Sequence, residues 1–229
     1  MAEIPFAALK SVSEELKSLG LEHAFTGGSI VGLLLDQPAL TPIRPTDDVD
    51  VIIEVISQRK YPTLEGRLRE IGFENDIRPG APLCRWSYRQ LTVDLMPVAG
   101  EFLGLNTAWF DYALASAVDK SVSGGLVRVV SPVGFLATKL AAFNDRGGDD
   151  CFGSHDLEDF ISVIDGRRSI EDEVDSAPAD VRSFISAEVS GLLQNRSFLE
   201  SLPGHLPPDT GSQARLPLLR ARLMCLARK

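Results

Sequence analysis

Cysteine is scarce in this chain. There are three in 229 residues, Cys84, Cys151 and Cys225. They lie far apart, are odd in number, and form no Cys-x-x-Cys pair and no metal-type spacing. That excludes a disulfide framework or a zinc site and leaves free thiols in a reducing cytosol as the expectation. Long apolar runs are missing too. No stretch of about eighteen apolar residues occurs, so no membrane span is expected. The opening Met-Ala-Glu-Ile-Pro-Phe lacks a basic region ahead of an apolar core, so no signal peptide is expected and the protein reads as cytoplasmic. Positive charge is in deficit, with 23 Lys and Arg against 32 Asp and Glu, a net charge of −9. That argues against a generic, charge-driven nucleic-acid binder and against affinity for anionic membranes, while leaving room for a local basic patch. Internal repeats and low-complexity segments are absent. So are a Walker A loop and a Gly-x-Gly-x-x-Gly fingerprint.

What is present is a globular composition, 44% hydrophobic and 24% charged, long enough for one large domain or two small ones. Phe6, Leu9, Val12, Leu16 and Leu19 follow helical spacing, and Gly20 stops the helix. His23 to Thr26 reads as a short strand, Ser29 to Leu35 as a helix, and residues 37–45, with three prolines, as a loop. Asp48 to Val55 is a strand rich in β-branched residues. Leu64, Leu68 and Ile71 mark a helix closed by Gly72. Cys84 to Tyr88 and Leu91 to Met96 flank the turn Arg89-Gln90 as a hairpin, and Val118 to Ser121 with Leu126 to Val130 read as a second. After Ser131 and Pro132, a cap and first-turn pair, the pattern turns helical: 132–144, 154–165, 178–195 and 212–228. The predicted organisation is therefore an α/β core over 1–130 and a helical region over 131–229, joined without an independent-domain linker.

Chemistry concentrates in the first half. Side chains alternate along a strand, so Asp48 and Asp50 face one way, with Val49 and Val51 buried behind them. Two adjacent carboxylates repel unless a cation compensates them. Mg²⁺ takes oxygen ligands and shares itself between carboxylates and phosphate. Asp94, a polar residue between Val93 and Leu95, offers a third acid from another strand, enough for a site with one or two Mg²⁺ ions. Upstream, Gly27-Gly28-Ser29 follows a strand and opens a helix. Glycines let backbone approach phosphate, amides at a helix start favour an anion, and the Ser29 hydroxyl can donate to a phosphate oxygen. Each piece has a plainer reading. Asp-x-Asp also suits a solvated edge strand, Gly-Gly-Ser suits a simple helix cap, and Trp86 and Trp109 suit a core better than a stacking platform. The order of the pieces selects a site for a nucleoside triphosphate.

In that order the chain resembles the DNA polymerase β-type nucleotidyltransferase superfamily, and within it the AbiEii-type toxins of type IV toxin–antitoxin systems. Gly27-Gly28-Ser29 and the later Arg44-Pro45-Thr46-Asp47-Asp48-Val49-Asp50 match its two leading motifs. Ser131 to Phe143, with Lys139, looks like the family's lysine helix, and Ser154-His-Asp156-Leu-Glu-Asp159 like its acidic helix. The resemblance spans roughly residues 22–166. It implies an α+β fold, a polymerase β-like mixed sheet flanked by helices with a helical C-terminal half. It implies an enzyme that transfers a nucleoside monophosphate from an NTP such as ATP and releases pyrophosphate. Asp48 and Asp50 would bind Mg²⁺, Ser29 the triphosphate, Lys139 phosphate charge, and Asp156 or Asp159 would complete the nucleotide pocket. Arg44 would meet the triphosphate or brace its loop. The implied acceptor is tRNA, with an antitoxin protein as partner. A protein or antibiotic acceptor, or a non-catalytic nucleotide-binding module, are the alternatives. Arg215, Arg220, Arg222 and Arg228 beside a leucine stripe read as a helix packed on the core with a solvated basic face, or as an RNA-contacting surface.

Overall fold

The computed structural model describes residues 6–36, 46–55, 58–122, 124–146 and 150–228. The proline-rich loop with Arg44, and residues 147–149 of the glycine- and acid-rich loop, lie outside them. The chain divides into two units, Met1–Ile30 with Arg44–Ser131, and Val31–Ile43 with Pro132–Lys229. The segment Val31–Ile43 goes with the second unit although it precedes most of the first in sequence. One side-chain and one backbone hydrogen bond tie it there. Arg167 donates from Nη1 to the Leu34 carbonyl at 2.7 Å, and the Asp36 amide donates to Gly166 at 3.1 Å.

The first unit begins with α1 (Phe6–Ser18), which buries Leu9, Val12 and Leu16 completely. Gly20 follows at φ +66°, a conformation that glycine adopts without strain. Then come β1 (His23–Thr26), β2 (Asp48–Ile53), β3 (Glu74–Asn75), β4 (Arg85–Tyr88), β5 (Leu91–Pro97), β6 (Val118–Val122) and β7 (Gly125–Val129). Among the described residues these make one mixed sheet in the order β3-β4-β5-β2-β1-β7-β6. Central β2 runs antiparallel to β1 and parallel to β5, and β1 runs parallel to β7. Parallel pairing calls for cover on both faces. On one face of β2, Val49 and Val51 are fully buried. On the other, burial begins only at Ile52, past the two acids.

The hairpin β4–β5 turns through two residues, Arg89 at φ 47° and Gln90 at φ 71°. Two positive φ values in a two-residue loop match the twist of antiparallel strands and fix their register. The helix expected around Leu64 and Leu68 is α3 (Tyr61–Glu70), whereas three short helices were not evident in sequence, α4 (Phe110–Ala115) in this unit and α7 (Ile170–Asp175) and α9 (Arg196–Ser201) in the other. None of the three completes two turns, too few for an apolar stripe to repeat. The expected helix over Ser29 to Leu35 is shorter than read. Gly28–Ile30 forms a 3-10 turn, followed by the four-residue α2 (Val31–Leu34).

The second unit is helical: α2, α5 (Pro132–Asp145), α6 (His155–Gly166), α7, α8 (Ala179–Gln194), α9 (Arg196–Ser201), α10 (Thr210–Gln213) and α11 (Leu216–Leu226). The Ser154 hydroxyl caps α6 by accepting from the Leu157 amide, and Asp156 and Glu158 sit in its first turn, where the helix dipole favours them. Much of the basic tail is structural. Arg215 pairs with buried Asp165, and buried Arg222 donates to the carbonyls of Ile164, Asp165 and Arg167. The packed-helix reading of that tail therefore covers these two arginines, while Arg220 and Arg228 remain exposed. Among the described residues no helix is long and apolar enough to cross a membrane.

His23 is 3% exposed, between the Leu21 carbonyl, 2.9 Å from Nδ1, and the Ser13 hydroxyl, 3.0 Å from Nε2. A carbonyl only accepts, so Nδ1 carries the proton and Nε2 accepts from Ser13. Burial pushes the His23 pKa below its usual value, and burial does the same to His205. The unfolded chain thus takes up these protons first. The stability from the neutral rings is present in full above 6.5 and drains away as pH falls below it. Expected is a slope of up to about 1.4 kcal/mol per pH unit for each histidine in that window. Urea unfolding at several pH values should show a shallower slope for His23→Gln.

Candidate functional site

Strand register assembles a polar row in the first unit. Thr26 on β1 opposes Asp50 on β2, Asp50 opposes Asp94 on β5, and Asp94 opposes Arg85 on β4. Four neighbouring strands, roughly 4.8 Å apart, thus present Thr26, Asp50, Asp94 and Arg85 side by side. Asp48 lies on the same face two residues before Asp50. The structure brings Asp48, Asp50 and Asp94 together.

Arg85 was not singled out in the sequence. Its Nε donates to Asp94 Oδ1 at 2.8 Å and its Nη2 to Asp94 Oδ2 at 2.7 Å, a two-pronged pairing. The same Nη2 reaches Asp48 Oδ2 at 3.2 Å. Asp48 Oδ1 accepts in addition from the Thr46 hydroxyl at 2.8 Å. Side-chain exposure grades from 10% at Asp94 through 24% at Arg85 to 38% at Asp48, so the row opens toward solvent at Asp48. The hydrogen bonds to Asp94 raise the guanidinium pKa above its usual value, outweighing partial burial. Buried Cys84, next in the chain, feels the same field. Burial first, then the charges of Asp94 and Asp50, push its thiol up to about 12. It is no nucleophile at neutral pH.

Gly27 stands at φ +71°, directly against Asp50. A Cβ added there would lie 1.8 Å from Asp50 Oδ2, 2.6 Å from its Cγ and 2.9 Å from its Cβ. The turn after β1 is thus glycine for two reasons, backbone conformation and the carboxylate packed on it. The Ser29 hydroxyl faces the Thr26 carbonyl at 3.5 Å, at the far limit of a hydrogen bond. Gly28 and Ser29 belong to a 3-10 turn, so phosphate affinity here cannot draw on a long helix dipole.

The remaining sequence candidates lie in the second unit. Lys139 is no surface lysine, since its side chain is 12% exposed. Its Nζ lies 3.0 Å from Asp156 Oδ1 and 2.7 Å from Asp159 Oδ2, both acids being buried on α6. Arg146 Nη1 donates to Asp156 Oδ2 at 2.9 Å. Asp156 and Asp159, one turn apart on a helix face, thus clasp the same ammonium. Arg44 lies outside the described residues. Trp86 is fully buried in the core, whereas Trp109 is half-buried at φ 72°.

The chain is similar to the crystal structure of an antigenic nucleotidyltransferase-like protein from Paracoccidioides brasiliensis. The TM-score is 0.57 at 22% sequence identity, over 86% of this chain and 90% of that one. At this identity the likeness establishes the fold, an α+β nucleotidyltransferase-like mixed sheet flanked by helices. A looser likeness, to the solution structure of the antibiotic-resistance factor ANT(2'')-Ia, has a TM-score of 0.49 at 14% identity over 82% and 93% of the two chains, too distant to argue from. No protein-family model and no curated protein matches the chain.

Gly27→Ala and Gly20→Ala make an informative pair. Both glycines have positive φ, but a Cβ at Gly20 meets nothing within 4 Å. Gly20→Ala should cost about 1–2 kcal/mol of backbone strain. Gly27→Ala adds a clash reaching the Asp50 Cβ, which carboxylate rotation alone does not clear. Thermal denaturation should show a clearly larger loss for Gly27→Ala.

Proposed function

We propose that the chain is a nucleotidyltransferase, moving a nucleoside monophosphate from an NTP to a hydroxyl. The observation that supports this reading best is the in-register row of Asp50 and Asp94, with Asp48 alongside, packed against the glycine turn at Gly27. The donor set suits Mg²⁺, which takes hard oxygen ligands and is content with one or two carboxylates when substrate phosphates complete its shell. Among the described residues no group of three or more His, Cys, Asp or Glu is disposed to hold a metal ion. Asp48 and Asp50 would share such an ion with the phosphates of the bound triphosphate. When bound, Mg²⁺, as one ion or two, would neutralise charge on the transferring phosphoryl group and acidify the acceptor hydroxyl.

The chain's own residues do the rest. Asp48, fixed by Thr46, and Asp50, seated on Gly27, keep their carboxylates on one face of β2. Gly27 and Gly28 leave the backbone bare beside them, and the weakly engaged Ser29 hydroxyl is available to turn toward a phosphate oxygen. Asp94 is the third acid. The acceptor oxygen bonds to the α-phosphorus, the α–β anhydride bond breaks, pyrophosphate departs, and the hydroxyl proton passes to a carboxylate of the row. Arg44, Lys139 and Asp156 keep the roles that the resemblance implies, with Asp159 sharing the part of Asp156.

The acceptor in this proposal is tRNA at its 3′ end, with growth inhibition as the consequence and an antitoxin as partner. That part rests on the resemblance to AbiEii-type toxins. Incubation with labelled NTPs, Mg²⁺ and total tRNA should label tRNA. Asp48→Ala and Asp50→Ala should each lower the rate by at least about a hundredfold. Label on a protein or an antibiotic instead would move the acceptor and keep the chemistry. No transfer to any acceptor, with nucleotide binding indifferent to Asp48→Ala, would overturn the reading.

A further inference from the structure

Three carboxylates and one guanidinium share the row; Arg85 stands at its β4 end, and its guanidinium reaches two of the acids. Its Nη2 lies within hydrogen-bonding distance of one oxygen from each of two acids, 2.7 Å from Asp94 Oδ2 and 3.2 Å from Asp48 Oδ2. A cation shared by those two oxygens would have to sit where that nitrogen sits. We propose that Arg85 is a built-in counter-cation that bridges Asp48 and Asp94 in the metal-free protein and must swing aside before a divalent ion can bridge them. This rests on the reading of Asp48, Asp50 and Asp94 as a cation site.

The surroundings suit such an exchange. Arg85 is 24% exposed, so its head has a route to water. Asp94 is 10% exposed, too dry to remain unpaired without cost. Asp50 is seated against Gly27 on the same strand face as Asp48, so an ion first held by Asp48 and Asp50 can draw Asp94 in as the guanidinium leaves. Arginine fits the resting role better than lysine. Its fork satisfies both Asp94 oxygens at once, and it is more weakly hydrated than an ammonium. Arg85 is accordingly a positioning residue, acting through Asp94.

The test is Mn²⁺ binding to the full chain without nucleotide, followed by electron paramagnetic resonance, with thermal denaturation in parallel. An opposite charge beside a carboxylate lowers its proton affinity by about one to three orders of magnitude, and a divalent cation would meet the same field. Arg85→Gln is therefore expected to bind Mn²⁺ at least about tenfold more tightly than wild type. It should also melt lower than wild type without metal and recover with Mn²⁺. Arg85→Lys, which keeps the charge and loses the fork, should fall between them and serves if Arg85→Gln folds poorly. Mn²⁺ binding that disappears in Asp48→Asn but is no tighter in either Arg85 variant would overturn the counter-cation role and leave the cation site standing. No Mn²⁺ binding in wild type or any Arg85 variant would overturn the counter-cation role, while a site whose ion arrives with its triphosphate would still stand.

Discussion

Three carboxylates on neighbouring positions of one sheet face repel one another, and the site follows from how the chain resolves that repulsion. Strand pairing leaves no freedom in the matter. With β2 parallel to β5 and β4 antiparallel to β5, Asp50, Asp94 and Arg85 must stand in one line. Moving either strand by one residue would turn the acids into the apolar layer occupied by Val49, Val51, Val93 and Leu95. The hydrophobic burial that builds the sheet thus also holds the charges together. One guanidinium against three acids leaves an excess of negative charge, which is what a divalent cation and its triphosphate would meet.

The second constraint is Gly27. A residue with a side chain there would meet Asp50, so the glycine turn and the carboxylate row are one construction. The short 3-10 turn that follows contributes backbone proximity more than a helix dipole. In the second unit the same electrostatic theme recurs in a closed form. Lys139 and Arg146 balance Asp156 and Asp159, and most of that cluster is buried. Burial of an ion pair is weak evidence for stability, so the cluster adds little to a stability argument.

Much of this was legible in the sequence, and the reasons differ by element. Asp48-Val49-Asp50-Val51 announces a two-faced strand through alternation alone. Gly20 and Gly72 mark helix ends by their backbone freedom. The hairpin around Arg89-Gln90 was visible, and so was Arg85, had its register been followed. Counting three residues back from Tyr88 and three forward from Leu91 sets Arg85 opposite Asp94. Lys139 reads as a surface residue by type, yet Phe135, Leu136, Ala137, Leu140 and Ala141 are apolar on all sides of that helix, the mark of a buried one. The allegiance of Val31–Ile43 to the second unit had no local signal, because it depends on hydrogen bonds to residues about 130 positions later. Two-residue β3 and six-residue α4 fall below the length at which periodicity can appear.

The central claim is that the row of Asp48, Asp50 and Asp94 binds a divalent cation together with a triphosphate. Isothermal titration calorimetry of the full chain with a non-hydrolysable ATP analogue tests it most directly, run with Mg²⁺ and again with EDTA. Binding is expected to depend on Mg²⁺ and to be lost in Asp50→Asn. Equal binding in EDTA, or no binding under either condition, would contradict it.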